Sequence, residues 1–369
     1  MDKKTFFRSR LLSWLHENNR PLPWKGEQDP YKIWLSEIIL QQTRVEQGTP
    51  YYLKFIERFP RVGDLAQAPE TEVLKLWEGL GYYTRARNLH AAAQYIDQTL
   101  GGQFPDTYTD IRNLKGVGDY TAAAIASFAF GLPYAVVDGN VFRVLARFFG
   151  LDVPTDTAAG KNAFRTLAQE LLDPARPGLY NQAIMDFGAL QCTPAKPHCA
   201  SCPLADYCTA KAENTAPLLP VKSKARAKRE RLLLYGVFDL PDASILIRRR
   251  TGKDIWRNLY EFPGIETAPQ PKSGSDAESW AALLWNGTPP QGIVPQSVSK
   301  TYKQVLTHQI VHAVFVRFQV EKKAQKTLLE SNLGQNCIEI KQIKLKKIYP
   351  VPRIIDWYWQ EKDVSLSLF

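Results

Sequence analysis

The sequence has no long hydrophobic run. No apolar stretch approaches the ~20 residues that a helix needs to cross a bilayer, and residues 1–12 contain the acidic Asp2 and no small-residue cleavage site of a secretory signal. Internal repeats and low-complexity tracts are also missing, so a repeat architecture is not expected. These absences predict a protein without membrane association that works in the cytoplasm.

Cysteine is scarce as well, with 5 residues in the chain of 369. Four of them lie in a C-x6-C-x2-C-x5-C pattern formed by Cys192, Cys199, Cys202 and Cys208. Cytosolic thiols stay reduced, so this spacing indicates a metal site and not two disulfides. Four thiolates suit tetrahedral zinc or a [4Fe-4S] cluster, and spacing alone leaves both open. A site with four protein ligands is structural because it has no open coordination position. The isolated Cys337 is expected to be a core residue.

Acidic residues are outnumbered. The chain has 47 Lys and Arg against 37 Asp and Glu, a formal net charge of +10. Such a chain attracts a polyanion because each neutralised phosphate releases counterions. Nucleic acid is therefore the predicted partner, and the alternative is a basic surface that binds nothing in particular. With 44% hydrophobic and 23% charged residues the chain is expected to fold, and its length favours two unequal domains.

Two kinds of periodicity divide the chain. Up to about residue 210 apolar residues recur at helical spacing, and segments open with cap signals such as Asp29-Pro30. Strands are predicted at residues 231–238, 243–248 and 311–320, with a hairpin at 240–242 and a helix at 277–285. The prediction is an all-α domain over 1–210, a linker over 211–230 and an α+β domain over 231–369.

The predicted linker ends in a basic run. Its residues are Lys222, Lys224, Arg226, Lys228, Arg229 and Arg231. The run either lies along DNA or is a solvated charged linker, and its composition fits both.

A pair of glycines separates two helical patterns, at residues 108–113 and 120–130. Gly116 and Gly118 permit a tight turn and a close backbone approach. The amides of this turn and of the next helix N-terminus would bind a DNA phosphate without reading sequence. The alternative is a turn that binds no ligand.

Two carboxyl groups are candidates for catalysis. Glu37 lies in a predicted helix over residues 31–43, and its face of the helix carries Ile33, Trp34, Ile38 and Gln41. Apolar surroundings disfavour the charged form, so we expect a raised pKa that suits a general acid near neutral pH. Asp138 precedes a predicted helix at 141–149, where free amides and the helix dipole would keep it ionised.

A protonated and an ionised carboxyl together suit the cleavage of a glycosidic bond through an oxocarbenium-like transition state. Glu37 would be the acid, and Asp138 would stabilise the cation. The alternatives are a solvated glutamate on a helix face and an aspartate that only caps its helix.

Five motifs resemble, in order, the helix-hairpin-helix DNA glycosylases that carry an iron–sulfur cluster, and among these the branch that excises adenine. They are EIILQQT at 37–43, GLGYY at 79–83, LKGVGDY at 114–120, VDGNV at 137–141 and the cysteine loop at 192–208. The resemblance covers about residues 5–210 closely and the second domain loosely. It implies a multidomain chain, with an all-α helix-hairpin-helix glycosylase domain and its cluster loop followed by an α+β Nudix-like domain, and it implies [4Fe-4S] at the four cysteines.

The resemblance also implies the chemistry. Glu37 would protonate the adenine ring and activate water, and Asp138 would stabilise the deoxyribosyl cation or its covalent adduct. Tyr120 and Asn140 would hold these carboxylates by hydrogen bonds. The endonuclease III branch carries a Schiff-base lysine where this chain has Tyr120, so a glycosylase without strong lyase activity is expected. The alternatives are an endonuclease III-like glycosylase and lyase for oxidised pyrimidines, and a non-catalytic DNA-binding module.

The implied partner is duplex DNA with adenine opposite 8-oxoguanine or guanine, bound by a monomer that associates with the nucleoid. Gln42 and Tyr82 would wedge into the duplex beside 8-oxoguanine. A pocket is needed because the glycosidic bond cannot be reached in stacked DNA. The residues implied for that pocket are Trp24, Lys25, Leu40, Val45 and Gln182. Lys25 stands where some relatives have arginine.

The second domain resembles the Nudix-like module of this family at residues 256–264, WRNLYEFPG, but it lacks the acidic helix that binds magnesium and diphosphate. It is therefore expected to recognise and not to hydrolyse. Family members sense 8-oxoguanine with a Phe-Ser-His loop, and this chain has Leu306, Thr307 and His308 there. Thr307 keeps the hydroxyl, and Leu306 lacks the aromatic ring. The alternative is an ordinary turn before a strand.

Overall fold

The structure is a computed structural model that describes residues 2–18, 20–223, 227–267 and 276–366, without the side chains of 362–366. The chain forms two compact units, Met1–Gln67 with Asn88–Ala225 and Ala68–Arg87 with Arg226–Phe369. Lys224 and Arg226 of the predicted basic run lie outside the described residues. Within the described residues, no helix has the length and apolar character that a membrane crossing requires.

Helices make up the regular structure of the chain up to residue 212, which confirms the all-α prediction. They are α1 (Lys3–Glu17), α2 (Pro30–Leu40), α3 (Val45–Arg58), α4 (Val62–Gln67), α5 (Glu70–Leu76), α6 (Thr84–Thr99), α7 (Tyr108–Asn113), α8 (Asp119–Ala129), α9 (Gly139–Phe149), α10 (Ala158–Leu171), α11 (Pro177–Leu190) and α12 (Thr209–Ala212).

Local signals set the ends of α2. The Asp29 carboxylate accepts the Tyr31 amide at 2.9 Å, and Pro30 occupies the first turn, where its missing N–H costs nothing. The helix predicted over 31–43 ends earlier, at Leu40. Gln41 leaves the helical region with ψ of 114°, and Gln42 has a φ of 55°. The chain therefore turns just after the Glu37 face.

Helices α1, α9 and α11 pack around the core of the first unit. Phe7 of α1 contacts Phe148 of α9 with ring centroids 4.7 Å apart, and Trp14 of α1 contacts Phe187 of α11 at 5.0 Å. All four rings are buried. This packing fixes the two elements that carry Asp138 and Gln182, because a close-packed core has low compressibility.

The second unit is α+β, as predicted. Its strands are β1 (Arg229–Leu240), β2 (Ser244–Arg249), β3 (Tyr260–Glu261), β4 (Gly264–Thr267), β5 (Ile293–Val298), β6 (Tyr302–Val305), β7 (Gln309–Val320) and β8 (Cys337–Lys341). The accompanying helices are α13 (Ala277–Trp285), α14 (Gln325–Glu330), α15 (Gln342–Ile348) and α16 (Arg353–Leu366).

In the described residues these strands form one eight-stranded sheet of order β3-β2-β1-β7-β5, where β4 pairs with β1, β6 with β7 and β8 with β2. β1 and β7 run parallel, and the β1–β2 hairpin predicted at 240–242 is confirmed by Leu240 opposite Ser244. Cys337 packs against the apolar core of the sheet, as expected.

One segment departs from the predicted domain division. Residues 68–87 belong by their contacts to the second unit and not to the first. Glu70 accepts hydrogen bonds from Arg249 at 2.8 Å and from Asn258 at 2.7 Å, and Glu78 accepts the Val351 amide at 2.9 Å. Helical periodicity is local, so it could not reveal these long-range contacts.

The predicted linker is packed over part of its length. Leu219 is buried in the core of the first unit, and the Thr155 amide donates to the Val221 carbonyl at 3.0 Å. Arg231 is also buried and forms ion pairs with Asp254 at 3.0 Å and Glu266 at 2.6 Å. Two acidic partners saturate this guanidinium, so Arg231 does not belong to a DNA-facing basic run.

Candidate active site

Glu37 is a buried carboxyl on α2. Its neighbours Ile33, Trp34 and Ile38 are all buried, and Glu37 itself is 8% exposed. Burial raises the pKa of Glu37 to about 7, a hydrogen bond with Tyr120 opposes this shift, and the charge of Asp138 adds to it. The expected raised pKa is therefore confirmed, and near neutral pH much of Glu37 carries a proton.

Two cavities of the first unit share Glu37 in their walls. Their volumes are about 450 Å³ and about 530 Å³, a size that accepts small organic groups. The residues that line both are Arg20, Leu22, Trp24, Glu37 and Gln182. The smaller cavity also contains Tyr120, Asp138 and Asn140. The four residues predicted to carry the chemistry thus line one cavity.

Asp138 caps α9, as predicted. Its Oδ1 accepts the amides of Asn140 at 2.9 Å and Val141 at 2.8 Å, and its Oδ2 accepts the side-chain amide of Asn140 at 2.7 Å. These donors lower its pKa, as expected, but they do not set the direction of the net shift. Burial raises the pKa of Asp138 above the ordinary 3.8, and the hydrogen bonds only oppose that effect. The sequence reveals the cap but not how deeply the helix start is buried.

Tyr120 on α8 interacts with both carboxyl groups. Burial, the two nearby carboxylates and its hydrogen bond with Glu37 raise the pKa of Tyr120 well above the usual range. Its hydroxyl also lies 3.6 Å from Met185 Sδ. Tyr120 is therefore a neutral phenol that orients Glu37. The two contacts expected for the carboxyl groups, Tyr120 with Glu37 and Asn140 with Asp138, are both present.

A buried arginine fixes the orientation of Asn140. Arg143 Nη2 donates to Asn140 Oδ1 at 2.8 Å and to the Gly188 carbonyl at 2.7 Å, and Arg143 Nε donates to the Cys192 carbonyl at 2.7 Å. Because its amide oxygen accepts from Arg143, the amide nitrogen of Asn140 points at Asp138. Arg143 thus links the Asp138 end of the cavity to the cysteine loop.

Arg147 lies one helical turn further along α9. It donates to the carbonyls of Thr193 at 2.8 Å and Pro194 at 2.9 Å, and its Nη1 is 3.5 Å from Cys192 Sγ. Sequence reasoning missed both arginines. The available signal was their spacing of four residues on the helix that Asp138 begins.

The five predicted pocket residues divide between the cavities. Trp24 and Gln182 line both, Leu40 and Val45 line the smaller one, and Lys25 lines the larger one. Gln182 lies on α11, and the same face of that helix brings Met185, Asp186 and Ala189 to the smaller cavity. Asp186 was not predicted, although it follows Gln182 by one helical turn.

The glycine hairpin has the predicted turn. Gly116 has a φ of 83°, and a Cβ atom there would lie 2.6 Å from Asn88 Cβ, so both backbone and space require glycine. Gly118 is the N-cap of α8, is exposed and has open space beside it. Asp119, the first residue of α8, is paired with Arg112 and Arg165 at 2.6 Å each. Free amides and a neutralised carboxylate suit an approaching phosphate.

Gln42 is exposed and has a left-handed backbone with φ of 55°. This conformation is uncommon for residues with a side chain and often marks a functional turn. The turn follows the end of α2 and displays the Gln42 side chain at the rim of the smaller cavity, which Gln42 also lines.

In the second unit, Tyr82 shares the features of Gln42. It has a φ of 50° and is 46% exposed. Its hydroxyl forms a hydrogen bond with the hydroxyl of Thr307, and the Arg85 guanidinium lies 5.7 Å from the ring centroid. Two residues that were predicted separately for lesion recognition are thus in contact.

The residues from Leu306 to His308 form the tip of the β6–β7 hairpin. The Leu306 amide donates to the Gln309 carbonyl at 2.9 Å, which closes the turn, and Thr307 and His308 are exposed. The Lys228 ammonium donates to the Leu306 carbonyl at 2.8 Å. A turn is therefore present, and it displays both polar side chains.

The four clustered cysteines are partly buried on one loop next to α9. Burial raises the pKa of Cys202 to about 11, and the other three thiols also act on it, so the four lie close together. Among the described residues no set of three or more His, Cys, Asp or Glu has metal-coordinating geometry. The donor set still fits the implied cofactor in its chemistry, because four thiols near donors from Arg147 match a cluster of thiolate-bound iron.

Comparison with known proteins identifies the fold and the family. The HhH-GPD superfamily of base excision DNA repair proteins matches residues 35–169. A solved structure of a thermostable thymine-DNA glycosylase aligns with a TM-score of 0.54 at 32% identity and covers 57% of this chain and 97% of its own. An endonuclease III–DNA complex aligns with a TM-score of 0.51 at 21% identity, covering 58% of this chain and 99% of its own, which supports the fold alone.

Curated relatives are more specific. The adenine DNA glycosylase of Buchnera aphidicola subsp. Schizaphis graminum (strain Sg) is 38% identical over 264 residues, covering 71% of this chain and 75% of its own length. The adenine DNA glycosylase of Homo sapiens is 34% identical over 339 residues, covering 78% and 62%. The one of Mus musculus is 46% identical over 217 residues, covering 56% and 42%. The chain therefore belongs to the adenine DNA glycosylase family, whose members hydrolyse N-glycosidic bonds in DNA repair.

Proposed function

We propose that this protein is a monofunctional DNA glycosylase that removes adenine mispaired with 8-oxoguanine, and also with guanine, from duplex DNA. The observation that carries the proposal is the buried Glu37, whose pKa is raised to about 7 in a cavity that it shares with Asp138. An acid with this pKa can give a proton near neutral pH, when an ordinary glutamate is ionised. The names of the curated relatives support adenine as the base.

The first step is proton transfer from Glu37 to a ring nitrogen of the flipped adenine. Adenine is a poor leaving group as an anion, and protonation lets it depart as a neutral base. The carboxylate of Glu37 then takes a proton from the attacking water, so the acid is regenerated at the end of the cycle. Tyr120 supports both states because its hydroxyl can donate to the carboxylate and accept from the acid.

The second carboxyl group stabilises positive charge. As the glycosidic bond breaks, the deoxyribose acquires oxocarbenium character, and the carboxylate of Asp138 offsets it. Three hydrogen bonds hold the Asp138 oxygens in place before the reaction, so little reorganisation is needed. The cation itself favours the ionised form of Asp138 and counteracts the raised pKa of the free site.

Tyr120 is the reason to expect glycosylase activity without strong strand cleavage. A lyase of this type needs an amine that attacks the sugar carbon and forms a Schiff base. The phenol at position 120 has a pKa well above its usual range and is a weak nucleophile at neutral pH. Water is therefore the nucleophile, and the DNA strand stays intact.

Binding to DNA is assigned to three exposed features. The turn with Gly116 and Gly118 would hold a phosphate through amides at the start of α8. Gln42 and Tyr82 would enter the duplex beside the opposite base. Thr307 and His308 would contact 8-oxoguanine from the second unit, for which we propose a Nudix-like recognition role. Its helix α13 has a single acidic residue, Glu278, which fits recognition without hydrolysis.

Cys192, Cys199, Cys202 and Cys208 would hold the [4Fe-4S] cluster. Bound there, such a cluster would supply a rigid scaffold for the loop and no open coordination position for substrate. Arg147 would donate to the Cys192 sulfur, and Arg143 would connect the loop backbone with Asn140.

Base release from a panel of duplexes tests the proposal. The panel contains adenine opposite 8-oxoguanine, adenine opposite guanine, thymine opposite guanine and an oxidised pyrimidine opposite guanine, each labelled on either strand. We expect adenine release from the first two and strand breaks only after alkali. Release of thymine alone, or strand nicking without alkali, would overturn it. The thymine arm is included because a similar solved structure is a thymine-DNA glycosylase.

A further inference from the structure

An ion pair lies in the wall of the cavities that contain Glu37. Lys25 Nζ is 2.9 Å from Asp186 Oδ2, with side-chain exposures of 18% and 4%. Asp186 is among the buried charged residues of the first unit. In the described part of the chain, Asp186 is the only ion-pair partner of Lys25. A buried pair of this kind often costs about as much in desolvation as it gains, so its presence calls for a role besides stability.

The pair lies where the two cavities meet. Lys25 belongs to the turn between Leu22 and Gly26 and lines the larger cavity, whereas Asp186 on α11 lines the smaller one. The residues that line both cavities include Trp24, Glu37 and Gln182. The ion pair therefore joins a residue of the larger cavity to a residue of the smaller one, and Glu37, the proton donor, lines both.

Charge balance gives the pair a function. A lysine ammonium has three N–H donors, and the contact with Asp186 uses one of them. The others suit the acceptor nitrogens of a purine ring. An unbalanced ammonium there would oppose protonation of the same ring by Glu37, because the base becomes positive in that step. The Asp186 carboxylate cancels this charge and keeps the donors in position.

We propose that Asp186 is a positioning residue for base excision, whose carboxylate holds the Lys25 ammonium beside the flipped base and neutralises its charge while Glu37 protonates that base. The proposal rests on the proposed adenine excision. It adds a charge-neutral Lys–Asp pair to the residues that would recognise the base in the pocket.

The first test compares Asp186→Asn with wild type in the full chain. The substrate is adenine opposite 8-oxoguanine under single-turnover conditions, and binding is measured to the same duplex with a tetrahydrofuran abasic site in place of adenine. We expect a rate at least ~10-fold lower, because an unbalanced cation opposes base protonation, while affinity for the abasic duplex stays within ~2-fold. Asp152→Asn, at an exposed position of the same unit, is the matched control.

The pH profile separates positioning from a general loss of structure. An unbalanced ammonium favours the ionised form of Glu37. The pH at which the rate falls, as Glu37 loses its proton, should therefore move down by about one unit in Asp186→Asn. The charged or titratable groups around Glu37 are Tyr120 from α8, Asp138 at the start of α9, Asp186 from α11, and Arg20, Lys25 and Glu27 from the segment before α2. In the double variant Lys25→Gln with Asp186→Asn the rate should again fall at the wild-type pH, because the two side chains together carry no net charge.

Four results would contradict the role of Asp186 or the proposed function. The role of Asp186 is overturned if Asp186→Asn has a rate within ~2-fold of wild type. It is also overturned if the rate of Asp186→Asn falls at the same pH as that of wild type. An equal loss of rate and of abasic-duplex affinity, with a lowered melting temperature, overturns it in favour of a structural role. If wild type releases no adenine, the proposed function fails, and that result is distinct from either of these.

Discussion

Glu37 is 8% exposed and interacts with Tyr120, whereas Tyr82 of the second unit is 46% exposed and interacts with Thr307. Both pairs join a candidate functional side chain to a hydroxyl, but in different surroundings. Around Glu37 burial excludes most of the solvent, so each interaction is strengthened and the pKa is raised. Around Tyr82 water screens and competes, so the contact is weak and easily replaced.

The difference predicts two classes of mutational effect. Changes in the buried cavity should slow the reaction on every substrate, because they act on the proton and the cation. Changes in the exposed pair should alter the preference between opposite bases and leave the chemistry intact. A cavity variant that changes only the opposite-base preference, or an exposed-pair variant that slows the reaction on every substrate, would contradict this division.

The largest effect is expected from Glu37→Gln. The amide keeps the size of the side chain but cannot give a proton, so single-turnover adenine release should fall by ~10³-fold, within the range for general acid catalysis. In wild type the rate should fall as pH rises through about 7, the raised pKa of Glu37, because the protonated acid is lost. Rates from about pH 5 to about pH 9 measure both effects.

Glu57→Gln is the control, since Glu57 is an exposed glutamate of α3 in the same unit. It should keep the wild-type rate and pH profile. A Glu37→Gln rate near wild type would show that Glu37 is not the acid. A wild-type rate that does not fall near neutral pH would show that the raised pKa of Glu37 does not control the reaction.

The same substitution should stabilise the protein at alkaline pH. The pKa of Glu37 is about 7 in the folded chain and near 4.5 when exposed, so the native state binds its proton more tightly. The free energy of unfolding therefore falls as pH rises from 4.5 through about 7, by up to about 3 kcal/mol from this group. Gln does not titrate, so the free energy of unfolding of Glu37→Gln relative to wild type, measured with denaturant, should rise by about 2.5 kcal/mol between pH 5 and pH 8. A pH-independent difference would contradict this.

Local sequence patterns predicted much of this cavity. The cap of Asp29, the apolar neighbours of Glu37 and the cap of Asp138 are all short-range features, and short-range rules captured them. The upward shift of the Asp138 pKa was not predicted, because burial depends on how distant segments pack. Asp186 and Lys25 are 161 residues apart, so no local pattern could pair them.

The resemblance to a known family supplied what local physics could not. It implied roles for Gln42 and Tyr82. Their left-handed backbones have no signature in residue type, since neither is glycine or asparagine. It did not reveal that residues 68–87 pack with the second unit. The carboxylate of Glu70 and its partners Arg249 and Asn258 gave no local signal for that packing.

An intermediate effect is expected from Arg143→Ala. Loss of this guanidinium frees the amide of Asn140 to rotate, which weakens one of three hydrogen bonds to Asp138 and removes a tie to the Cys192 carbonyl. The rate should fall by ~10-fold on adenine opposite either base, because a charge-assisted hydrogen bond contributes about 1.5–3 kcal/mol. Arg143→Lys should recover part of it. The iron content per chain measures whether the cysteine loop keeps its cluster. A rate loss confined to one opposite base would contradict the role of Arg143 in holding Asn140 and Asp138.

The smallest effect is expected from the exposed pair. Tyr82→Phe and Thr307→Val each remove one hydroxyl of a shared hydrogen bond, so each should reduce the preference for 8-oxoguanine over guanine by ~3-fold, the value of a modest exposed hydrogen bond. Thr307→Ser keeps the hydroxyl and should retain the preference. Because the two groups share one bond, the double variant should lose no more than either single variant. If the losses multiply instead, Tyr82 and Thr307 contact the duplex independently, and the hydrogen bond between them has no part in reading the opposite base.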